Sequence, residues 1–220
     1  MGRLRGFYAS MVGKKVVMGV TGLIGVGFVV LHSLGNLLVF RGPDAINTYS
    51  RFLKNTGELL WVLRLVLIVA VILHVIAAVQ LTRQSRAARP IGYVKREAQV
   101  ATIASRTMRW GGVLLLIFIV LHILHFTTGS IRPAGVFSRE DVYANIVLSF
   151  RIWWVTAFYL VSMIALGLHL FHGAWSSVRS IGVSPPSPQP LHRKASLVIA
   201  IVVWAAFTAI PLAVVSGIIR

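Results

Sequence analysis

The sequence predicts an all-α integral membrane protein with five transmembrane helices. Three observations lead to this prediction: 57% of the 220 residues are apolar, only 12% are charged, and the apolar residues gather in five long runs. A soluble domain of this length usually carries roughly twice that charged fraction. The composition therefore argues against a water-soluble enzyme, a disordered protein and a secreted scaffold.

Each apolar run has about 20 or more residues, enough to cross a hydrocarbon core about 30 Å thick. The runs occupy more than half of the chain, so residues 1–220 are interpreted as a single membrane domain. The first run is too long for the apolar part of a signal peptide and lacks a clear cleavage site, so we expect a retained helix. The predicted spans are Val16–Phe40, Leu59–Thr82, Met108–Thr128, Ile152–Trp175 and Ala195–Ile219.

The absence of cysteine excludes disulfides, thiolate-bound iron–sulfur clusters and covalently attached c-type haem in this chain. Lys and Arg total 22 against 5 Asp and Glu, which gives a formal charge of +17. In a soluble protein this charge would indicate nucleic acid. In a chain this apolar it is typical of basic loops beside anionic lipid and acidic proteins, so we expect lipid contact and no nucleic acid.

The basic residues are divided unevenly between the two sides of the membrane. The side that holds the N-terminus carries fourteen Lys and Arg residues and the other side eight, and every acidic residue except Glu97 lies on the poorer side. Cytoplasmic loops carry the excess of Lys and Arg. The sequence therefore predicts that the N-terminus is cytoplasmic (the inner side) and the C-terminus is outside.

Two outer connections have helical patterns of their own. Residues 43–57 begin with Pro and end with Gly, which are helix boundary signals, and Arg139–Arg151 repeats the apolar spacing. Both are interpreted as amphipathic helices on the outer membrane surface, with ordinary packed loops as the alternative. The inner stretch Ser184–Pro190 is too rich in proline to be helical.

Histidines occupy the interior of four of the predicted spans. Ionisable residues inside a span are rare and usually functional. At 1.5 Å per residue, His32 and His122 lie about 24 Å and 21 Å from the inner edge, whereas His74 and His169 each lie roughly 12 Å from it. Helices one and three of an up-down four-helix bundle are diagonal neighbours, as are helices two and four. The four histidines therefore form two pairs at two depths.

Such pairs suit a flat macrocycle set edge-on in the bundle, since neutral imidazole is a good axial ligand for haem iron. A lone buried histidine more often bonds Ser, Thr or a backbone carbonyl, but two depth-matched pairs are much harder to obtain by chance. The sequence predicts two b haems, held by His74 with His169 and by His32 with His122. Glycines on these helices leave room for a porphyrin or, alternatively, for close helix packing: Gly22, Gly25, Gly27, Gly111, Gly112, Gly167 and Gly173.

Helices three and four each carry a second histidine, His125 and His172, three residues after the first. Their depths match a partner less well than those of His122 and His169. A haem propionate, a quinone or a partner subunit could each be what they contact.

Four segments resemble the cytochrome b membrane subunit of succinate dehydrogenase/fumarate reductase, and most closely its five-helix, di-haem, single-subunit form. They are His32–Asn36, Asn47–Leu53, Arg109–Trp110 and His169–Trp175, and the resemblance covers essentially the whole chain. The individual motifs are short, and their order together with the five-span layout carries the resemblance.

The resemblance implies a subunit of the bacterial respiratory complex II, in the cytoplasmic membrane. In this family a cytoplasmic flavoprotein handles succinate, and an iron–sulfur subunit docks on the membrane anchor. Electrons pass through the inner and then the outer haem to quinone, usually menaquinone. By position, His74 and His169 would ligate the inner haem iron, and His32 and His122 the outer one. Whether the complexes form trimers is left open.

The acidic residues depart from part of the family pattern. Some fumarate-reducing members have a carboxylate within the helices, and no predicted span interior here has one, which favours succinate oxidation. Glu58, at the outer start of helix two, is the acid best placed to serve a quinone; the alternative is a surface ion pair with Arg64 or Lys54. The basic inner segment Arg83–Arg109 is expected to dock the iron–sulfur subunit.

Three other functions stay open. Cytochrome b subunits of formate dehydrogenases and hydrogenases also use bundle histidines, although often with two ligands on one helix. A haem-free proton channel or transporter would use the histidines as a relay, but no convincing repeat or pair of broken helices is visible. In a structural anchor the histidines would only pack.

Overall fold

The computed structural model describes residues 2–88, 102–183 and 191–220. Within these ranges the chain forms α-helices joined by short connections, and no β-strand. The helices are α1 (Gly2–Ala9), α2 (Met11–Asn36), α3 (Pro43–Asn55), α4 (Glu58–Ala87), α5 (Ile103–His122), α6 (Val142–Phe150), α7 (Trp153–Ser180) and α8 (Leu191–Val215). The predicted all-α fold is confirmed.

Helices α2, α4, α5, α7 and α8 are each long and apolar enough to cross a membrane. Much of their apolar surface is exposed, and on α4 the side chains of Leu65, Ile68 and Val69 are each more than half exposed. Apolar surface of this extent is stable against lipid rather than against water. The chain is a multi-pass membrane protein, as predicted, whereas the identity of the membrane and the side that faces the cytoplasm stay predictions.

Two of the spanning helices run past the ends predicted from their apolar runs. Helix α4 extends to Ala87 and α7 extends to Ser180, each five residues beyond the predicted span. Backbone hydrogen bonding does not require apolar side chains, so a helix continues into the polar region where its hydrophobic run has already ended. The apolar run therefore marks the membrane-embedded part of the helix and not its end.

The ends of α2 and α8 are set by local signals that the prediction missed. Helix α2 begins at Met11, because the Ser10 side chain accepts a hydrogen bond from the Gly13 N–H at 3.0 Å and so caps the helix. The short helix α1 precedes this cap and was not predicted. Helix α8 ends at Val215, since Gly217 turns the chain with a φ of +75°.

The spanning helices form a four-helix bundle with one helix outside it. Helix α2 packs against α4 and α7, α7 packs against α5, and α8 packs on α7 and α2. In the described part of the chain, α4 and α5 make no contact of comparable extent with each other. The order around the bundle is therefore α4, α2, α7, α5, which makes α2 diagonal to α5 and α4 diagonal to α7.

Both connections predicted to be helical contain a helix, and both helices lie at the same end of the bundle, called here the α3–α6 end. Helix α3 is largely exposed and buries Ile46. Helix α6 buries Ile146, Val147 and Phe150 against α7 and α8, and its position relative to the membrane surface stays a prediction. Helix α6 is apolar on most of its faces, and such a helix is stable only when it is surrounded.

A side-chain bridge joins α3 to the start of α6. The Asn47 amide donates to the Asp141 carboxylate at 3.0 Å, and the Asn47 carbonyl oxygen accepts from the Tyr143 N–H at 3.1 Å. Asp141 also accepts from the Ala144 N–H at 3.0 Å and thereby caps α6. These bonds hold α3 and α6 together as one cover over this end of the bundle.

Two sequence predictions lie on residues that the structure does not describe. The proline-rich linker Ser184–Pro190 is outside the described residues. The predicted docking segment Arg83–Arg109 is described only at its two ends, because residues 89–101 are outside the described ranges. Both stay predictions.

Replacement of Asp141 is expected to destabilise the α3–α6 end in a pH-dependent way. The Ala144 N–H and the Asn47 amide hold the pKa of Asp141 below its usual value of 3.8. Because the pKa is lower in the folded state, the carboxylate contributes stability above that usual value and loses it as the pH falls through the folded-state pKa. Asp141→Ala should lower the free energy of unfolding by about 1 kcal/mol at pH 7, and by less at pH 3.

Denaturation in detergent at the two pH values measures this difference. Glu140→Ala is the matched control, since Glu140 is the neighbouring acid and its side chain is exposed. Equal losses of stability in the two variants at pH 7 would contradict the capping role of Asp141.

Candidate functional site

The first histidine pair joins α4 to α7 near the start of α2. The ring centroids of His74 and His169 are 6.2 Å apart, with the ring planes inclined at 59°. Nδ1 of His74 lies 3.0 Å from the Met18 carbonyl oxygen and 3.4 Å from the Thr21 hydroxyl, both on α2. A carbonyl can only accept, so the proton of His74 is on Nδ1, and Nε2 keeps its lone pair.

His169 completes this pair with an unsatisfied nitrogen. Its Nδ1 is buried and has no hydrogen-bond partner within the described residues. A buried polar atom without a partner costs free energy and calls for an explanation. An apolar cleft of about 290 Å³ between α5 and α7 reaches this residue and is also lined by Gly111, Leu114 and Leu168. His169 therefore borders a cleft between α5 and α7 that is also lined by the exposed side chains of Trp110 and Val161.

The second pair joins α2 to α5 towards the α3–α6 end. The ring centroids of His32 and His122 are 5.9 Å apart, and the planes are inclined at 81°. Phe28 stacks on His32 at 5.2 Å, Phe207 of α8 lies 5.7 Å from the same ring, and Phe118 stacks on His122 at 5.5 Å. Aromatic side chains thus surround this pair.

Both separations fit a shared iron ion. Two imidazoles that bind one metal from opposite sides through bonds of about 2 Å have ring centroids about 6 Å apart. No group of three or more metal-binding side chains occurs among the residues of the described ranges. Haem needs no such group, because the porphyrin supplies four nitrogen ligands and the protein supplies one or two. The ring separations of the two pairs are therefore compatible with one iron ion at each pair.

Some of the glycines allow close helix packing, and others border space that a porphyrin could use. A Cβ on Gly22 would lie 3.2 Å from Cε1 of His74 and 3.5 Å from the Ser177 hydroxyl, so this glycine allows α2 to approach both helices. A Cβ on Gly167 would lie 3.5 Å from Trp204, which indicates close packing of α7 on α8. Among the described residues, and apart from the backbone of the same helix, no atom lies within 4 Å of a Cβ built on Gly25, Gly27 or Gly111, whereas Gly112 and Gly173 would contact His169 at 3.8 Å and 4.0 Å.

The histidines that lie three residues after His122 and His169 are outside the two pairs. His125 uses both ring nitrogens on the protein: Nδ1 lies 3.1 Å from the Tyr159 hydroxyl, and Nε2 lies 2.8 Å from the Ser149 hydroxyl. His172 packs edge-on against Trp175 at 6.0 Å. His122 and His169 are therefore the members of each helix that face a partner histidine, which agrees with the order of preference from depth.

Glu58 is exposed at the first turn of α4 and forms neither of the ion pairs considered for it. The Lys54 ammonium donates instead to the Arg139 carbonyl, and the Arg64 guanidinium lies over the Trp61 ring at 5.1 Å. A carboxylate at a helix N-terminus is favoured by the helix dipole. This acid is free to meet a ligand, and its role towards quinone stays a prediction.

Sequence reasoning missed Tyr159 and Ser149. Tyr159 lies 3.4 Å from Nδ1 of His122 and links it to His125. A tyrosine in the interior of a span is a usable signal, because its hydroxyl needs a hydrogen-bond partner in hydrocarbon. Ser149 gave no such signal, since it lies in α6, outside the predicted spans.

Comparison with protein-family models, with curated proteins and with solved structures finds no match to this chain. The family resemblance therefore depends on the four sequence segments quoted above. The fold and the histidine pairs depend on the structure alone.

Gly22→Ala is expected to disturb the first histidine pair. The added methyl would lie 3.2 Å from the His74 ring, so the ring must shift and its bond to Met18 must weaken. We expect a free energy of unfolding lower by about 1–3 kcal/mol, together with a changed ¹⁵N shift of His74 Nδ1 in bilayers. Gly25→Ala, one turn away on the same helix, should leave both unchanged, and identical behaviour of the two variants would refute this account of Gly22.

Proposed function

We propose that this chain is a di-haem cytochrome b, the membrane subunit of a succinate:quinone oxidoreductase. The observation that carries the proposal is the presence of two histidine pairs, one on each diagonal of the bundle, with ring centroids 6.2 Å and 5.9 Å apart. Their separations suit one iron ion each, and their two depths suit electron transfer through the membrane. Five spanning helices and an aromatic, largely apolar interior are consistent with such a cytochrome.

Under this proposal each histidine has a defined task. His74 and His169 would hold one haem, and His32 and His122 the other. The bound iron would supply one-electron oxidation and reduction. The Met18 carbonyl holds the proton of His74 on Nδ1, which would leave Nε2 available to bind iron, as outer hydrogen bonds commonly do for metal-binding histidines. Aromatic side chains around His32 and His122 exclude water from the second pair.

The succinate assignment comes from the sequence resemblance. It makes a flavoprotein and an iron–sulfur subunit the partners of this chain, menaquinone the electron acceptor and a bacterial cytoplasmic membrane the location. Two arginines, Arg179 and Arg193, lie at the end of the bundle where α7 ends and α8 begins. Their guanidinium groups lie over the Trp175 ring at 5.3 Å and 5.6 Å. Positive charge at this end would suit the docking of an acidic partner subunit. Succinate itself would be oxidised on the flavoprotein.

One observation favours a second candidate function, a haem-free proton carrier. His122, Tyr159, His125 and Ser149 form a continuous series of polar contacts, which is the form that a proton path takes. The series ends in the buried helix α6 and includes no carboxylate, so it supplies only part of a path. A cytochrome b of another membrane dehydrogenase would share the histidine pairs and differ in its partners.

The haem content of the purified chain tests the proposal. We expect two b haems per chain by pyridine haemochrome and reduced-minus-oxidised spectra. His74→Ala should lose one of them and His32→Ala the other, because each variant removes one axial ligand. His172→Ala is the matched control, since it removes a histidine of α7 that is outside the pairs, and it should keep both.

The other outcomes are equally clear. One haem per chain would mean that one pair is structural and that the di-haem assignment is wrong. No haem in folded protein would reject the cytochrome proposal, and proton uptake into liposomes would then test the second candidate.

Glu58→Gln is expected to slow quinone reduction. If the carboxylate exchanges protons with bound quinone, its loss should lower the rate with a menaquinone analogue by roughly 10-fold or more, with both haems retained. Glu140→Gln, which changes another exposed acid at the same end, is the control. Equal rates in the two variants would exclude Glu58 from the quinone site.

A further inference from the structure

Three buried side chains extend from His122 towards α6. The Tyr159 hydroxyl lies 3.4 Å from Nδ1 of His122 and 3.1 Å from Nδ1 of His125, and Nε2 of His125 lies 2.8 Å from the Ser149 hydroxyl. Tyr159, His125 and Ser149 are 8%, 7% and 4% exposed. Groups buried this deeply keep their hydrogen bonds, because breaking one leaves a polar atom unsatisfied in an apolar surrounding.

Aromatic rings isolate this series from other polar groups. Tyr159 contacts Phe118, Phe126 and Phe150 edge-on, with centroids 5.1–5.8 Å apart. Among the described residues, the two histidines are the polar partners of its hydroxyl. The Tyr159 hydroxyl lies between His122 and His125, so it can accept a hydrogen bond from one of these histidines and donate one to the other.

The number of hydrogens available in these groups makes the directions of the three hydrogen bonds depend on one another. Each hydroxyl has one hydrogen and each neutral imidazole has one N–H, so all three bonds must run in the same direction. In one direction, His122 Nδ1–H donates to Tyr159, the Tyr159 hydroxyl donates to His125, and His125 Nε2–H donates to Ser149. In the other, Ser149 donates to His125, which donates to Tyr159, which donates to His122. Only the first direction leaves a lone pair on Nε2 of His122.

We propose that Tyr159, His125 and Ser149 act as a positioning chain that holds His122 in the tautomer able to bind iron through Nε2. The inference rests on the proposed function, since it takes His122 as a haem ligand. Under this inference His125 neither binds iron nor contacts quinone; it positions His122 through Tyr159. Each pair then contains a histidine whose Nδ1–H donates to the protein, His74 to a carbonyl and His122 to this chain, whereas His32 lies beside the amide donor of Asn36.

The positioning chain also connects the second pair to the α3–α6 end. Ser149 lies in α6, and α6 is joined to α3 through Asn47 and Asp141. The orientation of His122 therefore depends on a helix that is outside the four-helix bundle. A metal-binding histidine whose outer partner is lost typically binds its metal 10–100-fold more weakly.

Tyr159→Phe in the purified, haem-loaded chain tests the inference. Removal of the hydroxyl should raise the reduction potential of one haem, because His122 loses the acceptor that increases its basicity, and should weaken retention of that haem by roughly 10–100-fold. The haem at His74 and His169 should keep its potential and spectrum. Tyr143→Phe is the matched control, since that hydroxyl donates to the Arg220 carbonyl, away from both pairs.

If Tyr159→Phe does not fold, Ser149→Ala is the substitute variant. It should shift the reduction potential of the same haem in the same direction, by a smaller amount. A wild-type chain with two haems whose potentials do not change in Tyr159→Phe or Ser149→Ala would overturn the positioning chain and leave the proposed function intact. A folded wild-type chain without haem would overturn both. A change in the reduction potentials of both haems would also overturn the inference, because it would indicate a general loss of structure.

Discussion

An imidazole buried in hydrocarbon must have a partner for its nitrogens, and this requirement organises the whole bundle. Water is absent at that depth, so the partner is a carbonyl, a hydroxyl or a metal ion. The structure supplies a carbonyl to His74 and a tyrosine to His122, in both cases at Nδ1. Both ring nitrogens of His32 lie 3.3–3.4 Å from the Asn36 amide nitrogen, and Nδ1 of His169 has no hydrogen-bond partner among the described residues. The close approach of α2 at Gly22 supports the first arrangement, and the aromatic rings of Phe28 and Phe118 surround the second.

The α3–α6 end shows how two short helices outside the four-helix bundle contribute to the contacts of the histidines. Helix α6 fills the end of the bundle with apolar side chains and contributes one hydroxyl, Ser149, to the series that reaches His122. Its start is fixed to α3 by the Asn47–Asp141 bridge. A π-helical turn at Ile123–Thr127 carries His125 and brings its ring into this series, and such turns often occur at functional positions.

Hydrophobic periodicity and helix rise predict the spans and the depth of each histidine, because both depend on distance along a single helix. They also predict which helices are diagonal, and the structure brings together the rings of His74 with His169 and of His32 with His122. They do not predict what lies beside each ring. Tyr159 meets His122 only after α5 and α7 pack, and the short apolar pattern of α6 is the same for a surface helix and a buried one. The ligand roles of the four histidines stay predictions. Histidine rings at these separations and depths can occur in a metal site and also in a packed core.

The bundle consists of two helix pairs, α2 with α4 and α5 with α7, joined along the seam between α2 and α7. Each histidine pair takes one member from either half. During synthesis, therefore, the first half enters the membrane with His32 and His74 but with no complete site, and both sites form together when the second half docks. If the pairs hold haem as proposed, the haem would enter after that docking, so the contact between α2 and α7 would control the formation of both sites. A substitution at this contact, for example at Gly19, where an added Cβ would lie 3.4 Å from the Ser177 carbonyl oxygen, would therefore disturb both histidine pairs at once.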